Sequence, residues 1–395
     1  MSAGANPTPL RPGVPVASAR MSNACTKVQT VKVALLALFL ALSHALLAQP
    51  QRLVLSNGVQ LVVERVPDAP LTALEVWIRA GVADETPATS GVAHLLEHLI
   101  FKGTADSSPD ALDATFEQAG GILDASTERD WTRYSASVLP DQWQTPLRLL
   151  LRCLLQPALP PEALEKERRL ILNDEYALHR ADPIRPARYA LFAKAFPSHP
   201  YGLPLLGDPE TLARIDIETL RRFHQAHYRP ERLVVVLVGA VEVETARRVV
   251  EEALNPLPLS PPAAWEPTNT PESQTNGISL PQPARGNEEE GFFSVLHDAC
   301  LALGIPTPPA GDIDGWLCAE VVRIALAEPY LGLLYEGDSL PFGRLHSEYL
   351  PRAHGSLLAF YALPPVEPHE DWHAMTRERL GRALRRIAQG AVRPA

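Results

Sequence analysis

The segment Ser90-Gly91-Val92-Ala93-His94-Leu95-Leu96-Glu97-His98-Leu99-Ile100-Phe101 constrains this chain more than any other. Leu95, Leu96, Leu99 and Ile100 give it an apolar face at helical spacing, and Ser90 stands where it can cap the start. In a helix, residues four apart lie on one face, so His94 and His98 point to the same spot. Glu97 flanks that face. Buried histidine and glutamate are costly without partners, so a half-buried helix of this composition must meet something that satisfies them. Two imidazoles at this spacing suit a zinc ion, which takes nitrogen ligands at about 2.0–2.1 Å. A carboxylate beside a cation-polarised water can take its proton. Two histidines and a glutamate on one helix are also often just a solvated face. A third ligand from elsewhere decides between the readings, because a catalytic zinc site takes three protein ligands and leaves the fourth position open.

The stretch from Pro161 to Tyr176 offers one. It reads as a long amphipathic helix, with Pro161 suited to its first turn. Asp174 and Glu175 follow the apolar run Leu170-Ile171-Leu172, which puts them near the core. Taken alone, a glutamate there is a surface residue more often than a ligand.

These residues resemble the pitrilysin and insulinase family of zinc metallopeptidases, which includes the mitochondrial processing peptidase. That family has His-x-x-Glu-His followed by a glutamate ligand roughly seventy to eighty residues later; here 76 residues separate His98 from Glu175. The stretch His98-Leu99-Ile100-Phe101-Lys102-Gly103-Thr104 resembles the family's sequence after the second histidine. Gly120 to Thr132 resembles its Gly-Gly-x-x-Asn-Ala-x-Thr-x-x-Asp-x-Thr segment, with Asp124 in place of the asparagine. His199-Pro200-Tyr201-Gly202, Gly207-Asp208-Pro209-Glu210 and Tyr228-Arg229-Pro230 followed by Leu233 to Gly239 continue the match in order. The resemblance is strong over residues 50–255 and weak beyond.

One departure stands out. The family has a second glutamate seven residues before the ligand, on the same helix face. If Glu175 is the ligand, that position holds Arg168; if Asp174 is, it holds Glu167. Tyr176, and Asp182-Pro183 at the family's usual distance downstream, favour Glu175, with Asp174 as the alternative.

The resemblance implies a zinc-dependent endopeptidase that hydrolyses extended peptides or unfolded proteins in an enclosed chamber. It implies one zinc per chain on His94, His98 and Glu175, with Glu97 as catalytic base. It also implies a substrate rail at Ile122 to Thr127, with Asp124 and Ala125 at the matching substrate-binding positions, although both are equally read as ordinary sheet residues. The other function class is a non-catalytic peptide-binding or scaffolding subunit of a heteromeric peptidase, as a homo- or heterodimer. An intact metal motif argues against it.

Strands and helices mix without strict alternation, so the fold class is α+β. The resemblance adds two related halves, each a mixed sheet flanked by helices, closing as a clamshell. Four segments are expected: 1–48 as an N-terminal extension and signal peptide, 49–255 as the catalytic half, 256–290 as a Pro-rich linker, and 291–395 as a second half that is incomplete. An Asn57-Gly58 hairpin opens the first half. Strands are expected at 71–80, 122–127, 131–138 and 232–239, and helices at 108–119, 140–156, 161–180, 185–196, 216–227 and 242–254. The second half reads as strands at 292–302 and 356–363 with helices at 313–327 and 370–389.

The chain has 395 residues and a net charge of −10, which argues against a nucleic-acid partner. Lys27 and Lys32 precede the apolar run Val33 to Leu42, and Ala45 or Ala48 offers a cleavage point. The run is shorter than the about 20 residues of a membrane span and fits a secretory signal peptide, with Met1 or Met21 as start. The expected location is secreted or periplasmic, with an uncleaved anchor as the alternative. Cys153, Cys300 and Cys318 read as core cysteines, a Cys300–Cys318 bridge being the weaker reading.

Overall fold

The computed structural model describes residues 49–255, 292–328, 332–335 and 340–389. The signal-peptide reading and the linker 256–290 lie outside the described residues.

The first sheet starts with the hairpin of β1 (Gln51–Val54) and β2 (Gln60–Arg65), turned at Asn57-Gly58 with Gly58 at φ +92°. There follow β3 (Thr72–Ile78), α1 (Val92–Ile100), α2 (Ala111–Gln118), β4 (Asp124–Thr127), β5 (Thr132–Val138) and α3 (Gln144–Leu155). Then come α4 (Pro161–Leu170), a single wide turn at Ile171–Glu175, α5 (Tyr176–Ala181), α6 (Ile184–Ala195), α7 (Ile217–His227), β6 (Leu233–Gly239) and α8 (Val243–Leu254). The strand order is β1-β2-β6-β3-β5-β4, with β2 and β6 parallel and the other neighbours antiparallel.

Alternation along β3 and β6 buries every second residue, the mark of a sheet with one covered face. Leu74, Val76, Ile78, Val235 and Leu237 on that face share a core with Leu147, Leu150 and Leu151 of α3 and Val249 and Val250 of α8. From α1, Leu95, Leu96, Leu99 and Ile100 are fully buried in the same core. Each such side chain contributes about 1.5–3 kcal/mol. That anchorage fixes the rotation of α1 and so the direction of its histidines. β4 is the last strand of the sheet and leaves one edge unpaired among the described residues.

The second half is smaller. β7 (Phe293–His297), β8 (Cys300–Thr307), β9 (Arg344–Leu350) and β10 (Ser356–Leu363) form an antiparallel sheet in the order β7-β8-β10-β9, with helices α9 (Ile313–Ala327) and α10 (Trp372–Ala388). The sequence reading joins 292–302 into one strand, whereas the chain folds back after His297. Asp298 takes φ +48°, and His297 pairs with Cys300. Aspartate is among the few non-glycine residues that enter the left-handed region readily. β9 is a strand that the reading misses. The bridge between Cys300 and Cys318 is absent: both are free, Cys300 buried and Cys318 exposed.

Helix α6 packs on the second sheet. Ala187, Leu191, Phe192 and Ala195 pack with Phe293, Cys300, Ala302, Leu357 and Ala359 in one cluster. Arg188 adds a bidentate pair to Glu348 at 2.8 Å for both contacts, and Arg352 reaches Glu128 at 2.7 Å, just past the end of β4. No helix among the described residues is long and apolar enough to cross a membrane.

Candidate metal centre

The sequence places Ser90 as the cap of α1, and the structure corrects this. The cap residue is Gly91, at φ +96°, and the Ser90 hydroxyl is buried without a partner. The free amides at the helix start are taken by Glu85, whose two carboxylate oxygens accept from Gly91 N and Ala93 N, each at 2.9 Å. Burial raises the Glu85 carboxyl to about 8, and the two amides work against that rise. A carboxyl group whose oxygens accept from the first free amides does what a serine cap does at a helix N-terminus. Gly91 has a second constraint: a Cβ there would meet Leu212 Cδ2 at 2.7 Å and Gly207 Cα at 2.8 Å. The block Gly207 to Glu210 is therefore the floor against which the histidine helix starts.

The structure brings His94, His98 and Glu175 together. His94 Nε2 lies 3.3 Å from His98 Nε2 and 3.3 Å from Glu175 Oε2, and His98 Nε2 lies 3.0 Å from Glu175 Oε1. Ligand atoms about 2.0–2.1 Å from a tetrahedral zinc stand roughly 3.3 Å apart; the two ring nitrogens have that spacing, and one oxygen or the other of Glu175 lies at a similar distance from each. The three residues form the candidate metal-holding group found among the described residues. Three donors leave a fourth position open, as a catalytic zinc requires. Asp174 is exposed and takes no part in the group.

The spacing anomaly resolves in the wide turn. Tyr176 N donates to Ile171 O, five residues back, so Ile171–Glu175 holds one residue more than an α-helical turn. Eight residues apart on a regular helix, Glu167 and Glu175 would face different ways. The extra residue brings both onto one line. Glu167 Oε2 meets His98 Nδ1 at 3.1 Å, and Lys102 Nζ binds the other Glu167 oxygen at 2.8 Å. Arg168, which simple counting puts at this position, turns inward instead. Its Nε donates to Leu212 O at 2.8 Å and its Nη2 to Ile215 O at 2.5 Å. The Tyr176 hydroxyl donates to Gly207 O, so the wide turn rests on the same floor as α1.

Each ring nitrogen of His98 thus has a distinct task. Nδ1 faces Glu167, which leaves Nε2 for the cation, the usual orienting role of an outer carboxylate. Burial opposes charge on His98, but the Glu167 and Glu175 carboxylates outweigh it and raise the imidazole to about 9. Burial, then the neighbouring His98, lowers His94 to about 4. Glu167 is lowered to about 2: burial acts upward, but the bonds from His98 and Lys102 prevail. Glu175 is also lowered, its burial outweighed by His98 and His94.

Glu97 sits beside this group without belonging to it. It is buried, and its Oε2 accepts from the Thr127 hydroxyl at 2.6 Å. Burial raises it to about 7, against the lowering effect of that hydroxyl. Thr127 ends β4, so the edge strand is tied directly to Glu97. The strand is shorter than the expected 122–127. Asp124 is exposed at its start, 4.0 Å from Arg133, and Ala125 packs partly against the first core. The sequence reading passes over Glu85, Thr127, Lys102 and the contact of Glu167 with His98. A glutamate eight residues before the ligand was the available signal for the last, but nothing in the sequence marks a wide turn.

The profile of the insulinase family, peptidase family M16, matches residues 60–209, which include His94, Glu97, His98 and Glu175. A second profile, described as the peptidase M16 inactive domain, matches residues 214–328. The boundary between them does not follow the sheets, because β6 lies between β2 and β3. The chain is 31% identical over 191 residues to an uncharacterised zinc protease of Bacillus subtilis, covering 48% of this chain and 46% of that one. It is 32% identical over 207 residues to the mitochondrial-processing peptidase subunit beta of Lentinula edodes, covering 52% and 44%. The matched region thus spans about half the length of these curated relatives. A solved protease structure from Helicobacter pylori superposes with a TM-score of 0.73 at 20% identity, covering 88% of this chain and 82% of that one, a likeness of fold.

Proposed function

The chain belongs to the insulinase family of peptidases, family M16, and from that premise we propose that it is a zinc-dependent endopeptidase acting on extended or unfolded polypeptides. The observation that carries this reading is the pair of imidazole nitrogens 3.3 Å apart with a Glu175 oxygen 3.0–3.3 Å from each, beside a buried carboxylate that is not one of the three groups. His94, His98 and Glu175 would hold a zinc ion, which would supply Lewis acidity for a carbonyl and for water.

The remaining steps belong to the chain's own residues. Thr127 fixes one oxygen of Glu97. The other is left to take the proton of the attacking water and deliver it to the leaving amine. Glu167 and Lys102 hold His98 in the orientation that presents Nε2. The free edge of β4 offers backbone groups along which an extended chain adds as another strand, a mode that carries little sequence preference. Asp124 and Ala125 would border such a chain.

The test is cleavage of an internally quenched, unstructured peptide by purified protein. Activity should vanish with a zinc chelator and return with added zinc. Cleavage indifferent to the chelator, or none by zinc-loaded protein on any unstructured peptide, would refute the reading.

A further inference from the structure

A cavity of about 300 Å³ opens beside the metal centre, with Glu175 in its wall. Leu178, His179, Arg185, Arg188, Tyr189 and Leu206 are among its other lining residues. Resting on the peptidase reading above, we infer that this cavity receives the substrate side chain next to the scissile bond and selects one that carries a carboxylate.

Position comes first. Glu175 both lines the cavity and supplies the third donor atom of the cluster. A peptide whose carbonyl lies at the cluster has its neighbouring residue only about 3.8 Å further along the chain. A side chain leaving the cut on this side enters the cavity. Its volume accommodates any single side chain, so size alone selects little and the polar groups decide.

Those groups are unevenly matched. Both oxygens of Glu348 are taken by Arg188, through its Nε and Nη2. Glu175 is engaged with the two imidazoles. Arg185 meets Asp182 through Nε at 3.5 Å, while the other Asp182 oxygen accepts from Ile184 N at 3.0 Å. The two terminal amino groups of Arg185 make no hydrogen bond to a protein acceptor among the described residues and stay accessible to solvent, the side chain being 54% exposed. His179 is nearly buried and its Nε2 has no partner. Burial and then Arg185 lower its pKa, with Arg188 and Arg180 acting the same way and Asp182 opposing. The charged neighbours of the imidazole are thus mainly positive. A lysine or arginine side chain entering here would meet Arg185 and no uncommitted carboxylate. A glutamate would give Arg185 a charge-assisted acceptor at the rim of the cavity, where Leu178 and Arg185 are both exposed.

Two sources offer that chemistry: an acidic side chain within the substrate, and the free carboxylate of a chain end. The experiment separates them. Zinc-loaded full-length protein is given quenched peptides, amidated at the C-terminus and identical except for Glu, Gln, Leu or Lys at the two residues flanking the cut. At one of these positions kcat/KM should be at least about tenfold higher for Glu than for Lys, with Gln between. Arg185→Glu should invert the order, Arg185→Gln flatten it and Arg185→Lys preserve it. The glutamine variant serves if the charge reversal does not fold. A companion peptide that ends in a free carboxylate one residue past the cut probes the chain end; preference for it, with none for acidic side chains, overturns the side-chain assignment. Equal rates for Glu and Lys at both positions, or an unchanged order in Arg185→Glu and Arg185→Gln, overturn the inference and leave the peptidase standing. Failure to cut any peptide in the series overturns both.

Discussion

Replacing Glu97 with glutamine should leave one zinc ion per chain and lower kcat on an unstructured peptide by about 10²–10⁴-fold, the range that a positioned general base supplies. The substitution is close to isosteric, and the amide oxygen can still accept from the Thr127 hydroxyl that now bonds Oε2 at 2.6 Å. The packing around α1 is untouched, because Leu95, Leu96, Leu99 and Ile100 carry it. What disappears is the ability to take a proton and return it. KM should change little, since Glu97 is assigned no part in holding the substrate. Steady-state kinetics with metal analysis on the same preparation gives the answer. Full activity in the variant would remove Glu97 from the reaction. Loss of zinc together with activity would make it a ligand instead.

The second large effect separates two neighbouring acids. Glu175→Ala should weaken zinc binding by more than about 100-fold, beyond what loss of an outer carboxylate usually costs. Asp174→Ala should leave it unchanged. The Glu175 carboxylate places one oxygen 3.3 Å from His94 Nε2 and the other 3.0 Å from His98 Nε2, and removing it leaves two protein ligands where a catalytic zinc needs three. Asp174 is exposed on the adjacent position of the wide turn. Competition with a chromophoric chelator, run on both variants and the parent protein, gives the affinities. Equal losses, or a loss confined to Asp174→Ala, would move the third ligand and the register of the helix with it.

Much of this centre is legible in the sequence, for a local reason. His94, Glu97 and His98 lie within five residues on a helix whose apolar face is unambiguous, so periodicity alone fixes their common side. The alternating runs that become β3 and β6, and the Asn57-Gly58 turn, are equally local signals. Glu175 needed more, because 76 intervening residues carry no distance information, and the family resemblance provided it. The failures are tertiary. Ser90 has the chemistry of a cap, but the backbone brings the Glu85 carboxylate to the free amides first. Counting along a regular helix assigns Arg168 to the place of Glu167, because an extra residue in a helix has no compositional signature. β9 is an edge strand whose mixed polar and apolar residues lack a clean period of two. The turn at Asp298 is marked only by one aspartate between two apolar runs.

The account turns on one cation held by three side chains from two distant helices, and X-ray diffraction from zinc-loaded crystals on both sides of the zinc absorption edge tests it most directly. The account predicts a single anomalous peak about 2.0–2.2 Å from His94 Nε2, His98 Nε2 and a Glu175 carboxylate oxygen, with no fourth protein ligand. A peak elsewhere, or an ion closed by four protein groups, would contradict it.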